Sequence, residues 1–383
     1  MTPSVVGDRR TLLRSDFPQF LRALWNGGYR VVGPTVRDGA IVLGELREEA
    51  DLPIGWTERQ EAGTYRLAPR EDAALFGFTT GPHSWKKYLF PPRERLWTAE
   101  AEGSSFRVVP EPSDPVPYAF LGMRACDLAA LQITDRVFDR AVADPGYHGR
   151  RARALRIAVV CGHAAPTCFC VSMGTGPGVG RDHDLKLTEL LDGGPHRFLV
   201  EIGSSVGAAV LDRVPTRPAA SADPTAAEQV VARTAAGMGR HLDPTGVRDL
   251  LLGHPDHPRW TVVAARCLGC TNCTMACPTC FCSTTEEIPD LYGDRSEKWR
   301  RWDSCFNLEF SHLHGHPVRP SGRSRYRQWL THKLASWHDQ FGSSGCVGCG
   351  RCITWCPVQI DLTEEVRAMQ ADPDAVQTTG APP

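Results

Sequence analysis

The run Cys267-Leu-Gly269-Cys270-Thr-Asn-Cys273-Thr-Met-Ala-Cys277-Pro278 returns, after residues 279–345, as Cys346-Val-Gly348-Cys349-Gly350-Arg-Cys352-Ile-Thr-Trp355-Cys356-Pro357. Both read C-x2-C-x2-C-x3-C-P. Three thiolates on one tight loop can occupy three corners of a single iron–sulfur cubane, while the fourth cysteine opens a helix that points away and serves the cubane of the other run. The proline after it fits a first helical turn, where a missing N–H costs nothing. The predicted ligand sets are therefore crossed: Cys267, Cys270, Cys273 and Cys356 for one [4Fe-4S] cluster, and Cys346, Cys349, Cys352 and Cys277 for the other. Gly269, Gly348 and Gly350 let the backbone bend close to the cluster and offer it N–H groups.

This spacing is the bacterial ferredoxin run. Structural zinc is the bland alternative, but a zinc site wants two C-x2-C pairs around a spacer, not an evenly spaced triple ending in Cys-Pro, and the run occurs twice. The surrounding composition is ordinary. The chain has 383 residues, 42% hydrophobic and 23% charged, with a formal net charge of -1, which excludes a disordered chain, a collagen and a generally basic nucleic-acid binder. Its fifteen cysteines are the anomaly, and none precedes Cys126. Arg9-Arg10 is not followed by an apolar stretch or a cleavage site, and no run is long and apolar enough to span a membrane, so the expectation is a cytoplasmic protein with reduced cysteines.

Upstream of the cysteine runs the pattern is mixed. SDFPQFLRALWNGG reads as a helix with a glycine stop, and YRVVGPTV and AIVLGEL as strands split by the turn RDG. HSWKKYLFPPRERLW reads as irregular. YAFLG, ALRIAVVCG and RFLVEIGSS read as buried strands, and Asp127 as the cap of a helix following the first of these. Cys126 and Cys161 then fall just past strand carboxyl ends, the edge where ligands sit in open α/β sheets. The expected architecture is α+β: an α/β domain at 1–222, a helical connector at 223–257 behind a Pro/Ala/Ser-rich hinge, a dicluster ferredoxin-type domain with a long insertion at 258–370, and a disordered tail at 371–383.

Four cysteines outside the runs, Cys126, Cys161, Cys168 and Cys170, are the right number for a third cluster; buried free thiols acting as small hydrophobes are the alternative. Pro166-Thr-Cys168-Phe-Cys170 also repeats as Pro278-Thr-Cys280-Phe-Cys282, so a cluster shared between the two PTCFC segments is a rival arrangement. The glycine string Gly174 to Gly180 lacks dinucleotide or P-loop spacing and reads as a loop wrapping the cysteine site. The insertion holds Cys280, Cys282 and Cys305 without a role, four tryptophans and a basic run, RSEKWRRW, which reads as a solvated face or a docking surface for an acidic partner.

GMRACDLAAL, CGHAAPTCFCVSMGTGP, CLGCTNCTMACPTCFC, RRWDSC and CVGCGRCITWCP, in this order between about Ser84 and Asp361, resemble the beta subunit of cytoplasmic sulfhydrogenases, the NAD(P)-linked [NiFe] hydrogenases. The iron–sulfur relay chain of anaerobic sulfite reductase is similar over the same span. The resemblance implies a non-catalytic iron–sulfur electron-transfer subunit of an oxidoreductase complex. It implies two [4Fe-4S] clusters on the eight ferredoxin cysteines, and a third on Cys126, Cys161, Cys168 and Cys170. It also implies a flavin- and NAD(P)-binding diaphorase subunit on one side and the [NiFe] hydrogenase small and large subunits on the other, with no nucleic acid and no membrane. A sulfite reductase relay and a redox-sensing or structural cluster protein are the competing readings. No catalytic residue is assigned. Iron and sulfide content of the anaerobically purified chain tests the third cluster: about 8 iron per chain refutes it and about 12 supports it.

Overall fold

The computed structural model describes residues 3–111, 116–139, 142–191 and 193–375. In chain order the strands are β1 Arg9–Leu13, β2 Arg30–Arg37, β3 Ala40–Glu45, β4 Trp56–Glu61, β5 Thr64–Pro69, β6 Arg93–Glu102, β7 Ser105–Pro110, β8 Tyr118–Met123, β9 Leu155–Val159, β10 Leu185–Leu190, β11 Arg197–Ile202, β12 Arg217–Pro218, β13 Ser283–Pro289, β14 Arg295–Trp302, β15 His312–Leu313 and β16 His316–Pro317. The fold is α+β.

An eight-stranded sheet runs β12-β1-β11-β10-β9-β8-β2-β3. Its centre, β10-β9-β8-β2, is parallel, and the flanking pairs are antiparallel. Parallel strands are covered on both faces, which is why YAFLG and LRIAV read as continuous apolar runs. The β2–β3 turn places Asp38 at φ 52° and Gly39 at φ 74°, the two left-handed residues that a tight hairpin needs to match strand twist. Helix Phe17–Asn26 buries Phe17, Phe20, Leu21 and Leu24 in the main core.

Helix Ala125–Phe138 follows β8. Asp127, expected as its cap, instead stands one turn in. Arg124 is the N-cap residue, and its N–H donates to the Asp127 carboxylate at 3.0 Å. The side chain of Arg124 is buried and donates to the carbonyls of Val160, Phe76 and Phe78, so one guanidinium ties two other chain segments to its own helix at the carboxyl edge of the sheet.

Two stretches differ from their sequence reading. HSWKKYLFPPRERLW was expected to be irregular, yet it holds the short helix Lys86–Leu89 and, from Arg93, the start of β6. β6 pairs with β14 from the insertion, completing a four-stranded sheet β13-β14-β6-β7. Partners about two hundred residues apart leave no local signature. The Pro/Ala/Ser-rich stretch at 215–225 is tied down rather than free: β12 pairs with β1, and buried Asp223 accepts from Thr11 Oγ1 at 2.7 Å and Arg197 Nε at 2.9 Å.

Helices Asp223–Ala236 and Val247–Gly253 then lead to the cysteine-rich half, built on a second core of Trp260, Tyr326, Trp329, Leu330, Leu334 and Met369. The final helix, Leu362–Ala371, reaches the start of the expected tail, which from residue 376 lies outside the described residues. Among the described residues no helix is long and apolar enough to cross a membrane. Asp223→Ala removes the buried carboxylate that accepts from both Thr11 and Arg197 at the sheet edge. A loss of about 3 kcal/mol is expected, read as a lower urea midpoint at unchanged slope; a wild-type midpoint would refute the anchoring role.

Candidate iron–sulfur centres

The two cysteine runs fold alike. Gly269 and Gly348 both have φ 63°, Thr271 has φ 69° and the matching Gly350 φ 74°. Each loop then enters a short helix, Asn272–Met275 or Arg351–Thr354. The glycines have different reasons to be there. A Cβ on Gly348 or Gly350 would stand 2.6 Å from Phe169 or 2.5 Å from the Thr167 carbonyl, whereas one on Gly269 would meet nothing within 4 Å. The second loop is clamped by neighbouring chain and the first is open to solvent: Leu268 is 67% exposed and Cys270 is exposed.

The crossed sets come together. Cys273 is surrounded by Cys267, Cys356 and Cys270, and these four line one apolar pocket with Phe306, Tyr326 and Trp329. Cys352 is surrounded by Cys346, Cys349 and Cys277. Burial is the largest influence on Cys273 and Cys352 and holds both thiols well above the ordinary value; in Cys346 it raises the value to about 11 against the pull of Lys333. Backbone N–H groups aim at sulfur: Gly348 N is 3.5 Å from Cys346 Sγ and Ile360 N is 3.3 Å from Cys356 Sγ.

The residues fit a cubane better than a single ion. Among the described residues no three His, Cys, Asp or Glu side chains form a group that could hold one metal ion. A cubane takes its thiolates at the corners of a larger body and needs no such convergence. All-cysteine donor sets, apolar walls and N–H groups directed at sulfur are the donor chemistry of iron–sulfur ligation.

Cys126, Cys161, Cys168 and Cys170 also gather. Cys126 comes from the first turn of helix Ala125–Phe138 and Cys161 from just past β9, so the parallel β8–β9 pair sets both at one edge. The neighbours of Cys168 are Cys161, Cys170 and Cys349; those of Cys126 include Cys349 and Cys170. Burial pushes the Cys170 thiol up to about 12. The glycine-rich loop wraps this group: a Cβ on Gly176 would stand 3.1 Å from Cys170 Sγ, and Thr175 Oγ1 donates to the Val347 carbonyl at 2.7 Å. Cys349 thus lies against both the second and the third set.

The cysteine neighbours of the two PTCFC segments differ: Cys277 and Cys282 lie by Cys280, while Cys161, Cys170 and Cys349 lie by Cys168. Both segments brace the second cysteine run. Thr167 Oγ1 bonds Thr354 Oγ1 at 2.8 Å and Phe169 N donates to the Gly348 carbonyl at 2.8 Å. From the insertion, Thr279 Oγ1 donates to the Gly345 carbonyl at 2.6 Å.

Three charged residues of this region escaped the sequence reading. Arg351, inside the second run, is 3% exposed and its Nη2 donates to Asp127 Oδ1 at 2.8 Å. Lys333 is 4% exposed with Nζ 3.1 Å from Cys277 Sγ, and buried Lys86 donates to the Cys280 carbonyl at 2.8 Å. The basic run of the insertion is already partnered: Arg300 pairs with Glu94 and Asp144, Arg295 with Glu297, Arg301 with Glu286 and Lys298 with Glu287. It is a solvated, internally neutralised face.

Residues 266–360 match the 4Fe-4S dicluster domain family. Sulfhydrogenase 2 subunit beta of Pyrococcus furiosus is 28% identical over 364 residues, covering 92% of this chain and 96% of that protein. No solved structure matches the chain. The chain therefore carries a 4Fe-4S dicluster domain and is related, over nearly its whole length, to the beta subunit of a hydrogenase.

Proposed function

We propose that this protein is the iron–sulfur relay subunit of a cytoplasmic hydrogenase complex, passing single electrons between a flavin- and NAD(P)-binding partner and a [NiFe] catalytic module. The observation that carries the reading is the succession of cysteine sets from interior to surface. The set on Cys126, Cys161, Cys168 and Cys170 adjoins Cys349 of the second run. Cys352 of the second run lines the pocket of the first, and the first ends on exposed Cys270 and Leu268. Three [4Fe-4S] clusters on these sets would form a wire with one solvent-facing terminus, suited to a partner subunit.

A bound cubane supplies a one-electron change with little rearrangement. The chain's own residues set the conditions. Val347 and Ile353 are buried, and Trp355 stacks on Tyr65 with ring centroids 5.1 Å apart. Keeping water away penalises the more negative reduced state and lowers the potential, while N–H groups aimed at Cys346 and Cys356 act in the opposite direction. Lys333 adds a positive charge at Cys277.

Cys352→Ala in the assembled complex is expected to remove about four iron per chain and to block electron flow from NAD(P)H to the terminal site. Unchanged physiological turnover with the variant chain in place would overturn the relay reading. Partners co-purifying with the wild-type chain decide its destination: [NiFe] subunits support the proposal, and a siroheme protein moves the relay to sulfite reduction.

A further inference from the structure

A cavity of about 390 Å³ opens beside Cys161, a volume within the range of small-molecule sites. Val160, Gly162 and His163 form one wall, and Val230 of helix Asp223–Ala236 and Phe76 form another. The cavity lies just past the carboxyl end of β9, the edge at which open α/β sheets receive ligands.

Two carboxylates line it, and only one is fully satisfied. Glu189 accepts from Leu75 N at 2.7 Å and Phe76 N at 3.0 Å, and stands 2.9 Å from His196 Nε2. Glu58, from β4, is buried, with its side chain 2% exposed. Its Oε1 accepts from Thr79 N at 2.9 Å, Thr79 Oγ1 at 2.5 Å and Gln60 Nε2 at 3.2 Å. Its Oε2 has no hydrogen-bond partner among the described residues. The three bonds to Oε1 pin the carboxylate, so the missing donor has to come from the cavity. A buried oxygen left in that state is costly.

Cationic groups line the same space. Arg70 is held by Asp72, with Nε and Nη2 at 2.7 and 2.6 Å, and donates from Nη1 to the Gly77 carbonyl at 2.9 Å. Gly77 makes room for it, since a Cβ there would stand 2.5 Å from the guanidinium carbon. Arg233 is exposed at the rim and makes no ion pair among the described residues. A bare cation would reach Glu58 but be repelled by the two arginines, and a bare anion would be repelled by Glu58. A ligand with both charges suits both walls.

We propose that this cavity binds a small zwitterion of the amino-acid type, its ammonium group on Glu58 Oε2 and its carboxylate toward Arg233. The site uses no cysteine and stands apart from the iron–sulfur assignments. It is nevertheless joined to the cysteine loops. Gln60, which holds Glu58, accepts from Thr354 Oγ1 at 2.9 Å, and Thr354 is bonded to Thr167, the neighbour of Cys168, at 2.8 Å. All four of these side chains are buried. An occupant therefore touches one end of a hydrogen-bond chain whose other end lies between the second and third cysteine sets.

The test is calorimetric titration of the full-length, anaerobically purified protein with the proteinogenic amino acids, one at a time at millimolar concentration. At least one is expected to bind saturably, and Glu58→Gln and Arg233→Ala are each expected to weaken it about tenfold or more. The analogues of that amino acid lacking either the amine or the carboxylate are expected to bind weaker by a similar factor. Absence of binding by every amino acid, which leaves the cavity to water, overturns the proposal. So does wild-type affinity in either variant, or in either analogue. Arg233 is on the rim and its variant keeps the buried network intact, so it is read alone should Glu58→Gln fail to fold. Iron content is measured on the same samples, so failure of a cluster assignment and failure of this site show separately.

Discussion

A buried ion pair, Arg351 with Asp127, joins the two halves of this protein. Arg351 belongs to the second cysteine run and Asp127 to the helix that also carries Cys126. The carboxylate is fully engaged: its other oxygen accepts from Arg124 N at 3.0 Å and Trp85 Nε1 at 3.2 Å. Removing one partner from such a pair leaves an uncompensated charge in low dielectric, at a cost of about 3–5 kcal/mol. The pair also fixes register. With Arg351 held, Cys349 faces the group on Cys126, Cys168 and Cys170, and Thr354 enters a buried chain of hydrogen bonds through Gln60 to Glu58. The spacing between the second and third cysteine sets follows from that one contact and its neighbours.

The RACD segment illustrates how a short sequence divides labour. Arg124 gathers carbonyls at the sheet edge, Asp127 holds the other half through Arg351, and Cys126 between them is presented to the cysteine group. The helix–strand geometry puts each side chain in a different direction over four consecutive residues. PTCFC does similar work twice, because the second cysteine loop is braced from both the sheet domain and the insertion.

The sequence was most legible where the determinants are local. Ligands spaced along one loop, apolar runs of parallel strands and the Asp38-Gly39 turn are all written within a few residues of where they act. Charged partners were not legible. Arg351 occupies a variable position of the cysteine run, and its partner stands more than two hundred residues earlier. Nothing local in the sequence marks Lys86 or Lys333 as buried; tertiary packing buries them. β6 was missed for the same reason: RERLW becomes a strand only because β14 arrives beside it, and pattern reading has no access to a partner supplied from the far end of the chain. Asp127 lies in the expected helix, which starts one turn earlier than its own sequence signal, behind the Arg124 cap.

The β14–β6 pairing has a consequence for how the molecule is made. During synthesis β6 and β7 leave the ribosome long before residues 295–302 exist. Until β14 docks, β6 of this hairpin shows an unpaired edge, the kind of template on which chains associate wrongly. Closing so long a loop is slow. The insertion that interrupts the two cysteine runs therefore also covers the β6 edge, which stays open until about four-fifths of the protein has been translated.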